Sequence, residues 1–136
     1  MNTKLLGTLT LSLGLLFSIP ALAHHGGSSL YDLGKVTTVK ATVTQFVWSN
    51  PHCELSFDAA DESGKAKHWV IEAHPPNILV THSWTRKALN PGDMVTISFH
   101  PGLNGVAIGQ LMKVVFADGR ELWQDLPKTA ANAGAQ

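Results

Sequence analysis

The sequence predicts a small, mostly-β barrel with one short helix between its third and fourth strands. Three observations lead there. Runs rich in Val, Thr, Ile and Phe alternate apolar and polar residues with a period of two. Turn signals punctuate those runs at short intervals: Asn50-Pro51, Asp61 to Lys65, Asn90 to Asp93 and Asp118-Gly119. Only residues 77–89 carry a helical pattern.

The first strand is expected over 36–48, with Val39, Ala41 and Val43 on one face and Lys40, Thr42 and Thr44 on the other. Phe46 and Trp48 then fall out of phase, which a bulge or strong bend would explain. Asn50-Pro51 breaks the strand. The second runs from about His52 to Ala59, with Cys53, Leu55 and Phe57 inward and His52, Glu54, Ser56 and Asp58 outward. A loop at Asp61 to Lys65 returns the chain into a third strand, Ala66 to Ala73, which His74-Pro75-Pro76-Asn77 ends. In the helical stretch Ile78, Leu79 and His82 share a face, Asn77 is placed to cap the first turn, and Ser83 a second one over Trp84 to Leu89. Strand four follows over Met94 to His100, strand five over Val106 to Phe116, and Asp118-Gly119 turns the chain back through Arg120 to Trp123. The tail from 127 to 136 is Ala-, Asn- and Gly-rich and is expected to be disordered. Three strands, a helix, two strands and a hairpin is the chain order of an OB-like five-stranded barrel. A plain β-sandwich is the alternative.

The N-terminus reads as an export signal. Lys4 precedes an apolar run from Leu5 to Ile19, and Ala21-Leu22-Ala23 is a small-x-small cleavage site. The run falls short of the roughly 20 residues a membrane span needs. The position after the cut is His24, not the Cys of a lipoprotein. Cleavage after Ala23 leaves 113 of the 136 residues: a His/Gly/Ser segment at 24–35, then one domain over 36–126. The expected compartment is the periplasm, with no membrane span after processing. The mature chain carries nine basic and ten acidic side chains and no basic stripe, so nucleic acid is not an expected partner. Cys53 is the only cysteine, which excludes an internal disulfide, and its inward phase predicts a small buried hydrophobe.

Several motifs stand out: His24-His25, Trp48-x-Asn50-Pro51-His52, Trp69-x-x-Glu72, Trp84-Thr85-Arg86 leading to Leu89-x-Pro91-Gly92-Asp93, and Asp118-Gly119-Arg120 with Leu122. On these the chain resembles a family of small exported bacterial proteins classed as a domain of unknown function. The resemblance covers nearly the whole mature chain. It departs at His74-Pro75-Pro76-Asn77, where a Gly/Ser-rich link is expected, and at Cys53. It implies export and a small β-barrel, and it carries no activity.

Seven histidines are many for so small a domain. A free terminal amine beside an imidazole is a ready chelate, so His24 offers an amine and a ring nitrogen. His25 offers the amine, an amide nitrogen and its ring. Both sets suit Cu(II), which favours nitrogen ligands in tetragonal geometry. Signal removal itself would create the site. His52 is the first candidate for a further ligand and His100 the second, with Glu54 orienting an imidazole from behind. His68, with Glu72 and Trp48, forms an alternative surface for a peptide, sugar or periplasmic partner protein, without metal. Arg86 is expected to pair with an acid or to cap a helix end. No Gly-rich phosphate loop, HExxH helix or GxSxG elbow occurs. The expectation is a binding protein for a metal ion or small ligand, not an enzyme.

Overall fold

A computed structural model describes residues 30–127. The signal, His24, His25 and the tail beyond 127 lie outside the described residues. Six strands form: β1 (Thr37–Val47), β2 (Cys53–Ala60), β3 (Ala66–Ala73), β4 (Met94–Pro101), β5 (Ile108–Phe116) and β6 (Glu121–Trp123). The sheet order is β3-β2-β1-β4-β5-β6, and a parallel pairing of β3 with β5 closes it. The result is a closed five-stranded barrel with the OB strand order, plus β6 as an extra strand on β5.

Strand β1 makes the closure possible because it serves two neighbours. Its first half pairs with β4, from Thr37–Phe99 to Thr42–Met94, and its second half with β2. Between them the register slips: Val43 faces Phe57 and Gln45 faces Ser56, so Thr44 is an extra residue. This is the bulge that the phase change predicts. It turns Phe46 and Trp48 back toward the core cluster and leaves the Thr44 hydroxyl oxygen buried without a hydrogen-bond partner among the described residues. A second bulge lies in β5, where Ser98 faces Lys113 and Phe99 faces Leu111.

The core is continuous. Leu55, Phe57, Ile71, Ile97, Phe99, Leu111 and Val114 are almost fully buried, and Trp69 packs edge-on against Phe99 at 4.9 Å. Burying each such side chain contributes about 1.5–3 kcal/mol. Cys53 is fully buried in the same cluster. Burial pushes its thiol pKa up, against the opposing pull of the Ser49 carbonyl and the Arg86 charge.

The connection between β3 and β4 is helical, but shorter than the pattern predicts. Helix α1 spans Pro76–Leu79, and a 3-10 turn continues over Val80–His82. Pro76 starts it, because a proline needs no amide partner in a first turn. Asn77 therefore sits inside the helix, and no side chain caps the start. Ser83 ends the turn in a left-handed conformation instead of starting a new one. Residues 84–89 form turns and not a helix. Their apolar spacing records burial of Trp84 and Leu89, not helical period. Leu79 and Trp84 enter the core, and Trp84 donates its indole N–H to the Trp123 carbonyl at 2.8 Å.

Closure is tightest at Gly109, which pairs with Ile71 on one side and Pro101 on the other. A Cβ there would meet a Phe99 ring carbon at 2.6 Å, the His100 carbonyl at 2.8 Å and an Ile71 methyl at 3.0 Å. Gly109→Ala is expected to lower stability by about 1–3 kcal/mol in urea unfolding, as overpacking does. The outward Lys40→Ala should stay within about 0.5 kcal/mol. Cys53 is expected to resist a thiol reagent at pH 8 in the folded protein and to react at an ordinary rate once denaturant is added, because a raised pKa and burial both withhold the thiolate.

Candidate functional site

The closed barrel has two unlike ends. At one, α1 and Trp84 fill the opening beside Val47, Cys53 and Ala73. At the other, Thr37, Ala60, Ala66, Pro101 and Ile108 mark the strand ends, and no helix covers it. Alternation along four strands draws one polar row on the outer wall: His100 of β4 faces Gln110 of β5, Gln110 faces Glu72 of β3, and Glu72 faces Glu54 of β2. Two like charges set directly opposite cost stability unless something offsets them.

Tyr31 supplies part of that offset. It is almost fully buried, forms an isolated bridge to Gly102, and donates its hydroxyl to Glu72. Burial first, and then the Glu72 hydrogen bond and charge, push the phenol pKa far above its usual value. Backbone bonds hold the flanks: Asp32 N–H to the Pro101 carbonyl at 2.9 Å and Leu103 N–H to the Leu30 carbonyl at 3.0 Å. His100 joins through Nδ1, 2.8 Å from the Lys35 carbonyl. Residues 30–36 are thus a strap fastened over β4 and β5. Tyr31 carries no metal-ligand or catalytic motif, so sequence reasoning passed over it. Its single signal was an aromatic residue in an otherwise Gly/Ser-rich segment.

The β2–β3 register carries on to the end of the ladder. One step past Cys53–Ala73, His52 stands across from His74, and the Cys53 N–H meets the His74 carbonyl at 3.4 Å. His52 is exposed, and it shares the outward face of Glu54. Its loop includes a cis Asn50-Pro51 bond, and the Ser49 hydroxyl donates to the His52 carbonyl at 3.1 Å. His74 has a partner already: its Nε2 lies 2.8 Å from an Asp125 oxygen. The His82 ring bonds the Gln124 carbonyl. Gln124, itself buried, accepts from the His74 N–H at 2.9 Å. The chain after β6 is thereby latched beside α1, by contacts 40 to 50 residues apart in sequence that no local pattern announces.

The expected site residues divide accordingly. His52, Glu54 and Glu72 share one region of the outer wall. His100 lies in the same row as Glu54 but three strand spacings away, on the order of 14 Å, too far for His52 and His100 to hold one ion. Trp48 does not join His68 and Glu72 on a surface. It packs on Phe46 at 5.9 Å and against the core. His68 pairs with Asp58 at 2.7 Å on the exposed part of the wall. Arg86 donates to the Trp48 carbonyl at 3.4 Å, with no acidic partner among the described residues. Trp123 is half-buried, with the Lys113 ammonium 4.5 Å over its ring. Among the described residues no group of three or more His, Cys, Asp or Glu side chains is arranged to hold a metal. No described helix is long and apolar enough to cross a membrane.

No curated protein and no solved structure matches the chain. A family model does match, over residues 14–111, most of the chain and every strand from β1 to β4. The chain belongs to the family of unknown function DUF6152.

Proposed function

We propose that this is an exported periplasmic protein that binds Cu(II) through the amine and ring of His24, with His25 beside it and His52 as the further ligand. The observation that carries the reading is the state of His52. Of the five imidazoles in the described residues, those of His68, His74, His82 and His100 each make a hydrogen bond, and that of His52 makes none. An exposed imidazole without a partner is the one most ready to bind an ion. Glu54 and Glu72 lie next to it and supply the negative charge that a divalent cation prefers.

Two further points support the reading. Tyr31 ties the strap to Glu72, so the chain ahead of it begins close to the carboxylate pair. From Leu30 back to His24 is six residues, which at full extension reach about 20 Å, enough to carry the terminus toward His52. Delivery or buffering of copper fits a protein that makes its chelate only after export. Cu(II) heads the divalent affinity order for such nitrogen sets.

The test uses protein exported through its own signal, so that the His24 amine is free, compared with a form that keeps an extra N-terminal Met. Cu(II) is added, and EPR and competition affinity are recorded. The authentic form is expected to show nitrogen hyperfine structure and to bind more tightly than the Met-extended form, by on the order of a hundredfold, about 2.7 kcal/mol. His52→Ala is expected to cost about tenfold. Equal, weak binding by both N-terminal forms would refute the proposal.

A further inference from the structure

The uncovered end of the barrel is a cleft of about 690 Å³, within the range of roughly 300–1,000 Å³ typical of small-ligand sites. Trp69 and Val39 form its floor, and Leu103 and Val106 stand on its rim. Barrel mouths are a favoured place for ligands. The surroundings are unusually apolar for a surface: of nine exposed large hydrophobic residues among those described, five (Leu30, Leu33, Val36, Leu103 and Val106) lie in the two segments that frame this cleft. Exposed apolar groups gathered in one place mark an interaction site more often than scattered ones. Cleavage at Ala23 would leave His24 to Ser29 ahead of Leu30, a stretch with no aliphatic side chain to cover them.

Charge then narrows the occupant. The Lys67 ammonium lies 4.4 Å over the Trp69 ring, and Lys35 lines the same cleft. Neither forms an ion pair among the described residues. Three acids also face the cleft: Asp32, Asp61 and Glu62. Two of them are turned to their own loops. Asp61 accepts from the Ser63 N–H at 2.8 Å, the Ser63 hydroxyl at 2.6 Å and the Lys65 N–H at 3.0 Å, and Asp32 accepts from the Gly34 N–H at 3.1 Å. Those bonds, with Lys67 adding a smaller charge effect, hold the Asp61 carboxyl below its usual pKa. The cleft thus offers two cations with no carboxylate in contact, beside an apolar floor and rim.

We infer that the barrel mouth binds a small anionic amphiphile, with its acid group at Lys67 and Lys35 and its apolar body over Trp69 and Val106. The site lies at the opposite end of the barrel from His52 and is independent of copper. The experiment titrates the full mature protein with decanoate below its micelle concentration, by calorimetry and by amide NMR, alongside decyltrimethylammonium. Decanoate is expected to bind at one site, shifting resonances of Trp69, Lys67 and Val106, with the cationic analogue at least about tenfold weaker. Lys67→Glu and Val106→Ser, both at exposed or half-exposed positions, are each expected to weaken decanoate at least about tenfold with unchanged thermal unfolding. Equal affinity for the two surfactants, binding that Lys67→Glu leaves intact, shifts centred elsewhere, or no saturable binding would each overturn the inference.

Discussion

The parallel contact between β3 and β5 is the constraint on which the rest of the structure depends. It joins Val70, Ile71 and Glu72 to Ile108, Gly109 and Gln110, and without it the chain would be an open sheet. Three residues are little for a closure, so packing must hold it. Gly109 lets Ile71, Phe99 and the His100 carbonyl meet around a missing side chain. Gly102 repeats the device nearby, where a Cβ would strike an Ile108 carbon at 2.6 Å, and that close approach brings Tyr31 against the wall. Closure then aligns His100, Gln110, Glu72 and Glu54 in one row, seats the Tyr31 hydroxyl on Glu72, and separates a helix-filled end from an open one.

Much of this was legible in the sequence. Period-two alternation named all the strands within a residue or two at most ends, because one face of each is buried in a single core. The misphased Phe46 and Trp48 announced the β1 bulge, since a residue added to a strand flips every later side chain. The inward phase of Cys53 gave its burial. The helix was less legible: burial of Trp84 and Leu89 imitates a helical spacing, and Pro76 at the helix start displaced the cap expected at Asn77. Propensity lost there to tertiary packing.

The outer wall was the least legible part. A residue's cross-strand neighbours depend on closure, which no local pattern encodes. Sequence reasoning could set Glu54 beside His52 but could not set Glu72 across from Glu54, or His74 across from His52. It could not separate His52, whose ring stays unpartnered, from the four imidazoles tied to Asp58, Asp125, Gln124 and Lys35. Nor could it see that Trp69, not Trp48, would open onto a cleft. Trp48 is turned inward by the same bulge that its phase revealed.

The central claim is that the strap brings the processed N-terminus to the His52 end of the β2–β3 ladder. Paramagnetic broadening tests it most directly, because Cu(II) erases amide signals only within on the order of 10 Å. With one equivalent of Cu(II) on protein bearing a free His24, the account predicts loss of the His52, Glu54 and Glu72 signals, while the Asp118-Gly119 hairpin and the Asp58–His68 pair keep theirs. Broadening confined to residues before Leu30, with His52 and Glu54 untouched, would contradict it.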